Sequence, residues 1–108
     1  MKVYSIRFTR QAQEQLLEID HYIRDILRAP LAADHVLDLL EEAAMSLATM
    51  PERVRLTGEP QWAEKGIRRL LAHHFFLYFW IDKERAAIQI LAVIYTSRDQ
   101  KRQLATLL

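Results

Sequence analysis

The stretch IRRLLAHHFFLYFWIDKERAAIQILAVIY, residues 67–95, decides the fold. It contains three runs, 67–72, 74–81 and 86–95, which are apolar except at Arg68, Arg69, His74 and Gln89. They are separated by His73 and by the polar residues 82–85. Runs of this length that are rich in aromatic and β-branched residues are typical of strands. The last run is apolar except at Gln89, which favours a strand buried on both faces in the middle of a sheet. The sequence therefore predicts three consecutive strands.

The preceding half of the chain predicts one further strand and two helices. Residues 2–8 alternate between polar and apolar side chains, as a strand does, and Thr9 is suited to cap the helix that follows. Ala29-Pro30 ends the first helix and starts the second. Each helix has an apolar stripe at steps of three or four: Ala12, Leu16, Ile19, Ile23 and Ile26 in the first, and Ala33, Val36, Leu37, Leu40, Ala44 and Leu47 in the second. The short link predicts an antiparallel helical hairpin.

Two segments complete the order of elements. Residues 52–65 contain Gly58 and Pro60 without periodicity and are interpreted as a loop. Ser97 and Gln100 have capping-box spacing and predict a C-terminal helix through residue 107. The predicted order is β-α-α-β-β-β-α in a single domain, 1–108. The fold class is α+β, with the helical hairpin packed on a small, mostly antiparallel sheet.

Composition excludes several classes of protein. The chain has no cysteine, hence neither disulfides nor thiolate metal sites, and His21 and His35 have no ligand partners at convincing spacing. No segment approaches the ~20 apolar residues that cross a bilayer. We therefore expect a cytoplasmic protein without membrane contact, metal or cofactor.

Residues 1–60 carry a net charge of −3 and residues 61–108 a net charge of +4, so the second half suits nucleic acid or an acidic protein segment.

Three motifs, in order and spacing, carry a family resemblance. They are YSIRFT at 4–9 with Ala12, RRL at 68–70 followed by HFFLYFWID at 74–82, and ILAVIYTSRD at 90–99. Over nearly its full length the chain resembles the RelE/ParE family of type II toxin–antitoxin toxins, including ParE-like plasmid stabilisation proteins. The resemblance implies a small α+β toxin wrapped by a cognate antitoxin in a hetero-oligomer. It also implies a target that is either ribosome-bound mRNA or DNA gyrase.

The chain departs from the family pattern at several strand positions. The family's strand tyrosines are replaced by Phe75 and Phe79, and its strand arginines by Phe76 and Trp80. Tyr95 stands where the family often has histidine, and His73 where it often has glycine. These replacements remove polar groups that a ribonuclease would use.

A ribonuclease site would have to be built from the remaining polar residues. Cleavage by a 2′-hydroxyl needs a proton acceptor, a proton donor and cations for the phosphate. Arginine holds phosphate oxygens in a planar fork, and histidine titrates near neutrality. The candidate catalytic residues, if the chain is a ribonuclease, are Arg68, Arg69, His74, Tyr95 and Arg98, with His73 as an alternative. Because successive strand residues face opposite ways, Arg68 and Arg69 cannot both enter one site.

The aromatic strand is also a candidate binding surface. Residues 75, 77, 79 and 81 share one face and residues 76, 78 and 80 the other. We expect the second face to meet a partner, because a tyrosine hydroxyl and an indole N–H need hydrogen-bond partners that a protein core seldom provides. The predicted residues for target or antitoxin binding are Phe76, Tyr78, Trp80, Arg98, Lys101 and Arg102.

Three functional hypotheses remain open from the sequence. The first is a ParE-like toxin that inhibits growth by binding DNA gyrase, without being an enzyme. The second is a RelE-like ribosome-dependent mRNA interferase, an endoribonuclease. The third is an interaction module that has lost toxicity. All three predict a cognate antitoxin, encoded beside this gene, whose acidic amphipathic tail covers the basic half.

Overall fold

One four-stranded sheet organises the molecule. The structure is a computed structural model that describes residues 2–97. The strands are β1 (Ser5–Phe8), β2 (Arg68–Ala72), β3 (Phe75–Asp82) and β4 (Ala87–Tyr95), in the spatial order β1-β4-β3-β2. β1 runs parallel to β4, and the other neighbours are antiparallel. The prediction that the last apolar run is a central strand is therefore confirmed.

Two helices between β1 and β2 form the predicted hairpin. α1 (Arg10–His21) starts at Thr9, whose side chain accepts a hydrogen bond from the backbone N–H of Ala12. α2 (Pro30–Met45) begins at proline, as predicted. The apolar stripes of both helices meet the sheet in one cluster. Its buried residues include Ala12 of α1, Leu40 and Ala44 of α2, and Leu47 of the 3-10 turn (Ser46–Ala48) that follows α2.

The predicted stripe of the first helix is wrong at its end, where Ile26 is 60% exposed. α1 continues into a π-helical turn (Tyr22–Ile26), in which the backbone N–H of Leu27 bonds the carbonyl of Tyr22. A π turn holds more residues than an α turn and shifts the following side chains around the helix axis. The shift moves Ile26 off the face that meets the sheet.

The interpretation of 52–65 as a loop is incomplete. The segment begins inside a 3-10 turn (Pro51–Arg53) and contains a short helix, α3 (Pro60–Ala63). Trp62 of α3 packs against a second apolar cluster, formed by Ile67, Tyr78, Ala92 and Ile94. Both faces of the sheet are thus covered, one by the helical hairpin and the other in part by the α3 segment.

The mixed α+β fold class is confirmed by this architecture. The predicted C-terminal helix begins at the last described residues and lies outside them. None of the helices within residues 2–97 is long and apolar enough to cross a membrane.

Candidate functional site

Arg68 and Arg69 point to opposite sides of β2, as the strand period predicted. The guanidinium of Arg68 donates hydrogen bonds to the carbonyl oxygens of Val54, at 2.6 Å, and Glu52, at 3.4 Å. It ties the edge of the sheet to the segment that follows α2. Arg69 lies on the other side, with its guanidinium carbon 4.1 Å from the ring centroid of Phe76. Of these two arginines, it is Arg69 that presents its cation on the surface opposite the hairpin.

The burial of Tyr78 differs from the prediction that its face of β3 meets a partner. Its side chain is fully buried in the chain itself, in the cluster that Trp62 covers. Burial raises the pKa of Tyr78, and the hydrogen bond that Arg69 donates to it, with the charge of Arg69, only partly offsets this. The hydroxyl therefore stays protonated at neutral pH, which makes Tyr78 unsuitable as a proton acceptor.

Trp80 is the residue of the aromatic strand that remains accessible, at 40% exposure. Its indole lies beside Gly66, where an added Cβ would sit 3.4 Å from Trp80 Cδ1. Phe76 is half-buried under Arg69, and Lys65 Nζ lies 5.4 Å from the ring of Trp62. This surface therefore alternates aromatic rings with cations, and we call it the aromatic–cation surface: Trp62, Lys65, Arg69, Phe76 and Trp80.

The two adjacent histidines occupy the β2–β3 turn, as predicted. His73 has a left-handed backbone with φ 56°, which explains why a glycine suits this position. Its ring lies 4.2 Å from that of His74, and both side chains are exposed. The carbonyl of His74 accepts the backbone N–H of Thr96, which places the turn beside the end of β4.

Tyr95 lies on the hairpin side of the sheet. Its ring centroid is 4.5 Å from that of Phe75, within the cluster under the helices. It lines a cleft of about 400 Å³ between β4 and α1, with Gln15, Glu18 and Tyr22 on the helical wall. Arg69 packs with Phe76 and Tyr78, on the opposite face.

The candidate catalytic residues therefore do not converge within residues 2–97. Arg68 holds the sheet edge, Arg69 lies on one face, Tyr95 lies on the other, and His74 is in a turn. Arg98, Lys101 and Arg102 lie outside the described residues. In the described part of the chain, no three His, Cys, Asp or Glu side chains are grouped so that they could hold a metal ion.

Sequence reasoning missed an apolar groove between the hairpin and the sheet. Its volume is about 490 Å³, and its floor includes Phe8, Leu40 and Leu77. Leu17 on α1 and Met45 on α2 stand at its sides, 69% and 54% exposed. Neither belongs to the main stripe of its helix. Apolar residues outside the stripes, such as Leu17 and Met45, were the sequence signal for an additional apolar surface. The groove itself could not be predicted from them, because it depends on the distance between the helices.

Comparison with known proteins identifies the family. A model of the family described as the ParE toxin of the type II toxin–antitoxin system parDE matches residues 6–100. The chain belongs to the ParE toxin family. A search of curated proteins found no match to this ParE-family chain.

Two solved structures show the same fold as the ParE-family chain. The chromosomal ParDE toxin–antitoxin system from P. aeruginosa matches with a TM-score of 0.70 and 24% identity, over 88% of this chain and 98% of that one. The toxin–antitoxin complex RelBE2 from Mycobacterium tuberculosis matches with a TM-score of 0.62 and 23% identity, over 86% and 98%. The resemblance inferred from the three sequence motifs is confirmed.

Proposed function

We propose that this type II toxin acts in the cytoplasm by binding DNA gyrase, and that a cognate antitoxin neutralises it. The observation that carries the proposal is the separation of Arg69 and Tyr95 on opposite faces of the sheet. In-line attack on a phosphate needs an acid, a base and a cation around one reacting group. The described residues offer contact surfaces instead, which supports inhibition by binding.

Purified chain added to a gyrase supercoiling assay tests the proposal. We expect inhibition in the micromolar range without cleavage of RNA. Unchanged supercoiling at that concentration would contradict gyrase as the target. If expression of the chain alone does not slow growth, the toxin activity itself is absent and the chain is an interaction module.

The aromatic–cation surface favours a second candidate function, a ribosome-dependent mRNA interferase. Aromatic rings stack on unpaired bases, and nearby cations attract phosphates. New mRNA ends that appear after induction in the parent, but not in Arg69→Ala, would support this function over gyrase binding. Translation that continues without new ends would exclude it.

The cognate antitoxin is tested by co-purification with the product of the neighbouring reading frame. A complex that survives gel filtration is expected. A chain that expresses freely without that product and binds nothing from that frame would remove the neutralisation half of the proposal.

A further inference from the structure

The tip of the helical hairpin carries an exposed apolar patch. Ile26 ends the π turn, Leu27 follows it, and Leu31 lies in the first turn of α2. Their side chains are 60%, 55% and 84% exposed. We call these three residues the tip patch. One exposed leucine is ordinary, but several large apolar side chains close together on a surface indicate a site of protein contact.

The hairpin tip is held in a fixed arrangement by an ion-pair network. Arg24, within the π turn, pairs with Asp20 of α1 at 3.0 Å and also with Asp34 of α2. A single guanidinium thereby joins the two helices where the chain passes from one to the other. Because the tip is already ordered, covering its patch costs little conformational entropy.

Arg28 stands at the tip in a backbone conformation that arginine seldom adopts. Its φ is 54°, in the left-handed region where a helix end usually has glycine or asparagine. Its side chain is exposed and makes no ion pair or hydrogen bond with any of residues 2–97. The fold therefore gains nothing from an arginine at this position. A strained residue whose side chain has no role in the fold is typical of a functional surface.

The charges that flank the tip patch are self-complementary. Asp25 precedes the Ile26-Leu27 pair, and Arg28 follows it. Asp25 lies 2.9 Å from the Nδ1 atom of His21, and its two oxygens can accept further hydrogen bonds. In a two-fold contact, residue i of one copy faces residue j of the other, and j faces i. Asp25 of each copy can therefore meet Arg28 of the other while the tip patches cover each other.

We propose that the hairpin tip is a contact between two copies of this chain, in which Asp25 and Arg28 form two symmetric ion pairs around the tip patches. The tip is small beside the roughly 800 Å² that each partner contributes to a standard interface. Association should therefore be weak, with a Kd on the order of 10–100 µM. It needs neither gyrase nor an antitoxin, so it stands or falls independently of the proposed function.

The contact leaves the aromatic–cation surface uncovered, because that surface lies on the face of the sheet opposite the hairpin. A dimer thus presents two copies of this surface at once. A partner with two matching sites would bind the dimer by avidity, more tightly than it binds one copy.

Exchange of the two tip charges tests the contact. Sedimentation equilibrium of the purified full chain, from about 1 to 300 µM, measures the Kd of association. Asp25→Arg leaves only bases at the contact and Arg28→Asp leaves only acids, so each variant alone should associate at least about 10-fold more weakly than the parent. An equimolar mixture of the two should return to within about 3-fold of the parent, because each variant supplies the charge that the other lacks.

Matched variants separate the contact from general effects of charge and polarity. Arg55→Asp makes the same change of net charge at an exposed residue away from the tip and should leave the Kd within about 2-fold. Ile26→Gln and Leu71→Gln each place an amide at a residue that is 60% exposed. Only Ile26→Gln should weaken association, by about 10-fold, because Leu71 lies on β2 and outside the tip patch. Circular dichroism of all the variants should match the parent.

A parent that remains monomeric up to about 300 µM would overturn the proposed contact. A parent dimer that both charge variants form equally well would also overturn it, because another surface then holds the dimer. The same follows if the mixture of Asp25→Arg and Arg28→Asp associates no better than its components. If the parent is monomeric and Asp25→Arg loses the antitoxin or growth inhibition, the tip belongs to that other partner and the contact between copies is excluded.

Discussion

The guanidinium of Arg69 stacks over the ring of Phe76 at 4.1 Å and also donates a hydrogen bond to the buried hydroxyl of Tyr78. One cation thereby covers two aromatic residues of the neighbouring strand. Its neighbour Arg68 serves a different purpose, since its guanidinium joins β2 to Val54. The two adjacent arginines thus make their contacts on opposite faces of the sheet.

Arg68→Ala should lower the free energy of unfolding by about 1–2 kcal/mol, because the Val54 carbonyl loses a charged donor. Arg69→Ala should cost a similar amount, because it removes both the cation–aromatic contact with Phe76 and the hydrogen bond to the buried hydroxyl of Tyr78. Urea denaturation followed by circular dichroism measures both. Arg68→Lys is the control, because it retains the charge without the planar fork. An unchanged stability of Arg68→Ala would contradict the role of Arg68 at the edge of the sheet.

Gly66→Ala should destabilise the chain by about 1 kcal/mol, because Gly66 has φ +80°, a conformation that alanine adopts only with strain. Gly58→Ala is the matched control, since an added Cβ there meets nothing within 4 Å and no positive φ constrains it. That variant should be neutral, or stabilising by up to about 1 kcal/mol, because alanine restricts the unfolded chain. Thermal melts of the two proteins should therefore shift in opposite directions or differ clearly in size.

The periodicity of the sequence predicted those features that depend on a single strand or a single helix. Phe75, Leu77 and Phe79 are buried in the cluster under the hairpin, as alternation along a strand required. The opposed directions of Arg68 and Arg69 followed from the same geometry. The helix starts at Thr9 and Pro30 were also predictable from the sequence, because they depend on local backbone chemistry.

Contacts between distant segments were not predictable in this way. The aperiodic segment around Trp62 folds over Tyr78, and nothing in either segment alone specifies that contact. The groove beside Glu41 arises from the spacing of two helices above a sheet, whereas each helix shows only its own stripe. Ile26 was misplaced because an α period cannot anticipate a π turn.

Trp62→Phe should be tolerated, with a change in unfolding free energy within about 1 kcal/mol. The indole N–H is buried without a hydrogen-bond acceptor among the described residues, so phenylalanine loses area but removes an unsatisfied donor. Trp62→Ala should cost about 2 kcal/mol or more, because it opens a cavity above Tyr78.

The same pair of variants tests the cause of the raised pKa of Tyr78. Trp62→Ala admits water, so the pKa should move back towards the usual tyrosine value, whereas Trp62→Phe should leave it nearly unchanged. Ultraviolet titration of the phenolate measures it, and Tyr78→Phe identifies the signal. A pKa that does not respond to Trp62→Ala would show that burial under Trp62 is not its cause.

Asp82→Asn should destabilise the chain at neutral pH and much less in acid. The carboxylate accepts hydrogen bonds from the backbone N–H of Arg85, at 3.1 Å, and from its guanidinium, at 3.2 Å. These bonds, the backbone bond first, lower the pKa of Asp82 in the folded state despite burial.

A lowered folded pKa means that the stabilisation is fully present above the unfolded value of about 3.9 and is lost as the pH falls through the folded value. Urea midpoints of parent and variant should therefore differ most above the unfolded pKa and converge as the pH falls below the lowered pKa of the folded state. Glu84→Gln controls for the loss of one negative charge in the same turn, because the Glu84 side chain is exposed. A gap between parent and Asp82→Asn that stays constant across this range would show that the ionised carboxylate is not what stabilises the β3–β4 turn.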